Sequence, residues 1–255
     1  MAERDLDWPG CTNTRDLGGL PTVDGRSTRW GAAVRSDSLD RLTAGGWSAL
    51  TAYGIRTAID LRNDVEREAE PYSCDLTVQA VPIEDDADTE FIARWRPFSS
   101  PHYYRAALDQ WPARTATAVR AFAHAPLGGV VIHCGLGRDR TGLIALLLLA
   151  LAGVGAEDIA GDYERSAGRL PPLDVEAFLA RPSNVNARSR DAFERDLATE
   201  RARRAETSDR QAVLDLLSSF DAGAYLLGAG LSPDDLASTR ARLVSPPSPG
   251  DRPAG

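Results

Sequence analysis

Apolar and polar positions along this chain follow two periods, and the places where one gives way to the other mark the elements. Ile55-Arg-Thr-Ala-Ile-Asp-Leu61, Leu76 to Ile83 and Gly129-Val-Val-Ile-His133 are short apolar runs with β-branched residues, and they predict strands. A turn at Asp24-Gly25 separates two extended segments near Gly19–Thr22 and Thr28–Ser36. Thr43 predicts the cap of a helix running to Tyr53, with Gly54 as its stop. A helical stretch is expected after Leu61 up to Glu70, ended by Pro71. Residues 101–125 read as helix interrupted at Pro112, and Thr141–Ala152 as a strongly apolar helix. The longest apolar run, Gly142 to Gly155, is shorter than the ~20 residues of a membrane span and reads as a buried helix.

Strands alternating with helices predict an α/β fold with a largely parallel sheet. From about Ala156 the pattern is helical, including an arginine-dense stretch from Arg181 to Arg210 and a Ser208-x-x-Gln211 capping box. Ser232-Pro233-Asp234-Asp235 opens a last helix, with serine as cap and proline at its first position. The tail 245–255 is rich in proline and glycine and is expected to be disordered. No linker separates the halves, so residues 1–244 are expected to form one domain with a C-terminal helical elaboration.

Composition narrows the function. The chain has 255 residues and a formal charge of -8, and all 29 of its Lys+Arg positions are arginine. An acidic chain is a poor nucleic-acid binder, because that affinity comes from neutralising phosphates with a basic surface. Three cysteines, Cys11, Cys74 and Cys134, make no disulfide framework, and Cys11 and Cys74 are expected to pack as small apolar residues. If either lies near Cys134, oxidation could join them. The N-terminal MAERDLDWPG has no signal-peptide pattern, so a cytoplasmic location is expected. His102 and His124 have no ligand spacing, and neither a metal nor an organic cofactor is expected.

The chemistry concentrates in His133-Cys134-Gly135-Leu136-Gly137-Arg138-Asp139-Arg140-Thr141-Gly142, between the apolar strand and the apolar helix. A strand-to-helix turn exposes backbone N–H groups that suit an oxyanion, and Gly135 and Gly137 let it curl so that the amides converge. The thiolate form of a cysteine is the nucleophile, and helix N-termini and arginines favour it. Arg140 carries a planar fork that can hold two phosphate oxygens and meet the charge of a transferring phosphoryl group. Thr141 can donate its hydroxyl to the sulfur, and His133 can hold the cysteine in place. The phosphate-binding set is thus 135–140, with Cys134 at its base.

The Cys-x5-Arg-Thr-Gly signature resembles that of the cysteine-dependent protein tyrosine phosphatases. Asn13-Thr14-Arg15-Asp16-Leu17-Gly18-Gly19 is similar to the Asn-x-Arg-Asp-Leu-Gly-Gly motif of the bacterial and fungal branch of that superfamily. Arg35-Ser36-Asp37-Ser38-Leu39 is similar to its Arg-Ser-x-x-Leu strand exit, Asp60-Leu61-Arg62 to its Asp-Leu-Arg motif, and Phe220 to Leu243 to its closing helices. The resemblance implies a tyrosine-phosphatase-like fold, a phosphocysteine intermediate, and a substrate that is a phosphotyrosine or dual-specificity phosphoprotein, with inorganic phosphate as product. Some members of that branch act on phosphoinositides. A phosphoinositide or small-metabolite phosphatase, and a silent phospho-binding module, are the alternative readings.

The leaving oxygen must be protonated by a nearby carboxyl. Many tyrosine phosphatases use Trp-Pro-Asp, but here Ala113 follows Trp111-Pro112, so that pair reads as helix punctuation. Asp60, at the carboxyl end of a strand, and Asp139, inside the loop, are both candidates. Asp60 equally fits a structural salt bridge to Arg62 or Arg15, and Asp139 a brace for Arg140. The run Glu84–Glu90 is a third candidate, though such runs are usually solvated. Arg35 and Asp37, taken alone, read as a surface pair. Arg138 stands where the branch usually has lysine, and a second cation there would favour substrates with extra negative charge, against the plain reading of lysine-to-arginine bias. Local positive charge is expected at Arg138, Arg140, Arg15 and Arg62. Residues 161–210 are expected to form a helical lid over the loop.

Overall fold

The computed structural model describes residues 3–67, 72, 75–95, 101–170 and 190–245. Five strands form one mixed sheet: β1 (Arg15–Asp16), β2 (Ala33–Ser36), β3 (Ile55–Asp60), β4 (Thr77–Ala80) and β5 (Gly129–His133). Their order is β1-β2-β5-β3-β4, with β1 antiparallel and the other pairs parallel. The register sets Ser36 of β2 and Asp60 of β3 level with His133 of β5. Three strands therefore end at one height, and the residues after them share one crevice at the carboxyl edge of the sheet, where open α/β sheets bind ligands.

Alternation within each strand divides the core. Val131, Val34 and Ala58 face α1 (Ala44–Ala52) with its Trp47 and Leu50. Val130, Ile132, Ala33 and Ile59 face the larger layer. That layer holds α3 (Tyr104–Gln110), α4 (Pro112–Ala123) and α5 (Asp139–Ala152). Residues Leu143 to Leu149 of α5 are buried without a break. A helix apolar all round must be central to its layer. Each leucine so enclosed contributes about 1.5–3 kcal/mol from area burial. Behind it lie α6 (Ala156–Glu164), α8 (Asp209–Ser218), α9 (Ala222–Gly228) and α10 (Pro233–Leu243). The remaining helices are α2 (Thr89–Trp95) and α7 (Arg190–Glu206).

The caps follow their sequence signals. The Thr43 side chain accepts from the Gly46 N–H, Ser208 from Gln211, and Ser232 from Asp235, with Pro233 in the first turn of α10. Trp111-Pro112 separates α3 from α4. The helix expected up to Glu70 is, among the described residues, a single 3-10 turn at Asp64–Glu66. The strand expected over Leu76–Ile83 is paired only over Thr77–Ala80. Pro82 has no N–H to continue it. The α5 helix begins at Asp139, two residues before the expected start. Among the described residues no helix is long and apolar enough to cross a membrane.

Candidate active site

Cys134 leaves β5 at the level strand ends and is 3% exposed. Around it, three successive carbonyls are held outward. Gly135 O accepts from the Ser38 N–H at 3.1 Å, Leu136 O from Asn13 Nδ2 at 2.9 Å, and Gly137 O from Arg35 Nη2 at 2.9 Å. Across a trans peptide the N–H points opposite to its carbonyl, so the amides of 136–138 turn inward as a nest. Gly137 sits at φ +65°, and a Cβ there would lie 2.4 Å from Ser36 O, so the loop closes only with glycine. Gly142 has a second packing reason. A Cβ would meet Tyr104 Oη at 2.4 Å, and that hydroxyl donates to Asp139 O at 3.0 Å.

Beneath the nest lies a closed ionic floor. Arg35 Nη1 donates to Asp162 Oδ2 at 2.6 Å, and Arg15 Nε to Asp162 Oδ1 at 3.1 Å. Arg15 also reaches Asn13 Oδ1 at 2.8 Å and Ser166 Oγ at 3.0 Å, and Arg4 adds a contact to Asp162. Burial opposes the Asp162 charge, but Arg15, Arg35 and Arg4 outweigh it and hold the carboxyl well below the usual range. Residues 162–166 of the stretch expected as a lid are thus part of the floor. Arg35 and Asp37 are not a surface pair. Both are buried, and Asp37 accepts from the Thr12 and Asn13 N–H groups and from Arg41.

At the rim every arginine meets a carboxylate. Arg140 forms a two-pronged pair with Glu66, including Nη2 to Oε1 at 2.8 Å, and its Nε lies 3.7 Å from Glu84. Arg62 clasps Asp60 through Nε at 3.0 Å and Nη2 at 2.8 Å, and also holds Asp40. Burial would raise the Asp60 pKa, but Arg62 prevails and it lies below the ordinary value. His133 is fully enclosed, with Nε2 3.0 Å from Tyr72 Oη, and burial lowers its pKa to about 4, so the ring is neutral.

Asp139 is the exception at the rim. Its side chain is 18% exposed, its Oδ1 has no hydrogen-bond partner, and Arg138 Nε stands 3.9 Å away. Burial, partly offset by Arg138 and Arg204, pushes its pKa up to about 6. Thr141 Oγ1 is also enclosed without a partner. Cys11 is half-buried and free, its Sγ 3.6 Å from Ser38 O, and burial pushes its thiol up to about 12. Cys74 lies outside the described residues.

The local positive charge expected at Arg138, Arg140, Arg15 and Arg62 is present but not free, because each is paired with a carboxylate. Glu84 is buried rather than solvated, and its apolar lead-in, Val81 and Ile83, was the available signal. Glu66, Asp162 and Asp209 lie 74, 147 and 71 residues from the arginines they hold, and no local pattern marks them. Among the described residues no three histidine, cysteine or acidic side chains gather as a metal site.

The fold and cradle define an α/β protein that presents a ring of amides around an enclosed cysteine, with the Arg140 fork paired to Glu66 at the rim. The chain belongs to the tyrosine phosphatase family, whose model matches residues 6–245. A Cupriavidus necator protein with a tyrosine-protein phosphatase name is 31% identical over 72% of this chain and 71% of its own. A triple specificity protein phosphatase of Mycobacterium tuberculosis is 28% identical over 68% and 72%. A tyrosine-protein phosphatase of Nostoc commune is 34% identical over 54% of this chain and 49% of its own. The chain is a phosphatase of the protein-tyrosine-phosphatase class.

Proposed function

We propose that this chain hydrolyses protein phosphotyrosine through a phosphocysteine intermediate, with Asp139 as general acid. The observation that carries the reading is the pinned ring of carbonyls that aims the amides of 136–138 above Cys134. The Cys134 thiolate attacks phosphorus in line, the ester P–O bond breaks, and Asp139 passes its proton to the leaving oxygen. The amides hold the equatorial oxygens, and Arg140 joins them by exchanging its Glu66 partner for the phosphoryl group. Water then attacks phosphorus and gives a proton to the Asp139 carboxylate. The S–P bond breaks, and inorganic phosphate leaves. The unpartnered Thr141 hydroxyl supports the departing thiolate.

Asp139 fits the acid role better than Asp60. A carboxyl near 6 keeps a protonated fraction close to neutrality, whereas Arg62 holds Asp60 as a carboxylate. The α7 helix supports a covering role for the expected lid. Its Arg203 lies over the Trp95 ring at 5.0 Å and its Arg204 acts on Asp139, while residues 171–189 lie outside the described residues. The phosphoinositide reading needs Arg138 as a second phosphate ligand, and its pairing with Asp209 weighs against that.

The purified chain is expected to release phosphate from an aryl phosphate with metal chelated, and Cys134→Ser to abolish release. Phosphotyrosine peptides are expected to exceed phosphoserine peptides and phosphoinositides in kcat/KM by about tenfold or more. Turnover surviving Cys134→Ser would overturn the mechanism, and a phosphoinositide preference would overturn the substrate.

A further inference from the structure

Arg138 lies on the ring of the cradle, four residues after Cys134 and two before Arg140, and its carbonyl accepts from the Gly142 N–H at 2.9 Å. Its side chain, however, runs into the C-terminal helices. Nη2 donates to Asp209 Oδ2 at 2.5 Å, and the guanidinium lies over the Tyr163 ring at 5.8 Å. Asp209 opens α8 directly after the cap Ser208, so the helix start fixes its Cα. Arg204 Nε stands 3.4 Å from Asp209 Oδ1, and the His102 ring Nε2 3.9 Å from it.

We propose that Asp209 is a specificity-determining residue that holds Arg138 away from the cradle and restricts the site to substrates with a single phosphate. The proposal rests on the phosphatase reading above. A guanidinium fork is the side chain best suited to a second phosphate, because it can take two oxygens at once. While Asp209 holds Nη2, the fork cannot turn both its Nη groups to a phosphate next to the scissile one. With the carboxylate gone, Arg138, whose Nε already stands 3.9 Å from Asp139, has both Nη groups free at the same rim. The substrate class then admitted is the vicinal bisphosphate, such as a polyphosphorylated inositol ring.

Dissociation constants of an inositol monophosphate and its vicinal bisphosphate, measured by calorimetry in a Cys134→Ser background so that neither is consumed, test this. Asp209→Asn is expected to tighten the bisphosphate about tenfold, the size of one charge-assisted hydrogen bond, and to leave the monophosphate unchanged. Asp209→Ser is a second variant expected to give the same shift, and Asp209→Glu is expected to bind as the parent does. Adding Arg138→Gln is expected to remove the gain. Equal tightening of both ligands, no tightening in a variant that melts cooperatively, or a gain that survives Arg138→Gln would each overturn the proposal. Failure of the phosphatase reading would register separately, as no phosphate release from an aryl phosphate by the unaltered chain.

Discussion

The floor and the rim of the cradle use the same residue types to opposite ends. In the floor Asp162 takes three arginines, and Asn13, Ser166 and the Gly137 carbonyl accept from further donors of Arg15 and Arg35, leaving Arg35 Nε without a partner. At the rim Asp139 keeps one oxygen enclosed and unpartnered. A saturated carboxylate stays charged and fixes geometry. An unsaturated one in the same crevice is pushed towards its neutral form and can exchange a proton. The difference is not how deeply each is buried but whether donors were supplied to meet it. Floor residues should therefore add stability, and the rim acid should subtract it.

The largest expected effect is in the floor. Asp162→Asn removes the charge that Arg15 and Arg35 share, and leaving buried ions uncompensated costs about 3–5 kcal/mol. Denaturant unfolding should show that loss as a lower midpoint with an unchanged slope. Because Arg35 also pins the Gly137 carbonyl, phosphate affinity should fall with it. A variant that kept wild-type stability would remove the distinction between floor and rim.

The next effect has the opposite sign. The Asp139 pKa is raised to about 6 from an unfolded value of 3.8. The folded state therefore holds the proton more tightly. Its contribution is fully present below about pH 3.8 and is lost as pH rises through about 6. Above that the charged carboxyl is a burden on the order of 2–3 kcal/mol. Asp139→Asn is expected to stabilise the fold at pH 7.5 by up to that amount and to show no gain near pH 4. The same variant is expected to lose about 10²-fold in turnover and the basic limb of the kcat/KM profile near 6, with a smaller loss for nitrophenyl esters. A loss of both stability and activity would place Asp139 with the floor.

How legible each region was in the sequence follows from the range of its contacts. The strand Gly129–His133, the helix after it and the caps at Thr43, Ser208 and Ser232 rest on local periodicity and short-range hydrogen bonds, and all were readable. Cys134 and Arg140 were readable because strand, loop and helix are contiguous. The partners that set the state of each charge were not. Asp162 reaches Arg15 across 147 residues, and Asp209 reaches Arg138 across 71, so only the folded chain brings them together. The burial of Glu84 was obscured by the acidic residues after it, and the short turn at Asp64–Glu66 by a composition that suits a longer helix.

The smallest expected effect falls on Asp60, which stands at the rim by position but behaves as the floor does. It is level with His133 at the strand ends, as an acid would need to be, yet the Arg62 side chain meets both its oxygens and the Arg62 N–H adds a further bond. Hydrogen bonds to charged groups contribute about 1.5–3 kcal/mol, and the lower end applies here because Arg62 keeps Asp40 as a partner after the change. Asp60→Asn should therefore destabilise the fold by about 1.5 kcal/mol at neutral pH. The sign with pH is opposite to that of Asp139. A lowered folded pKa adds stability above the unfolded value of 3.8 and loses it as pH falls through the folded value, so the gap between variant and parent should close in strong acid. The basic limb of kcat/KM should stay where it is, because Asp139, the proposed acid, is untouched. Loss of that limb in Asp60→Asn, with its retention in Asp139→Asn, would exchange the roles of the two aspartates and show that full pairing in the resting site does not exclude a carboxyl from proton transfer.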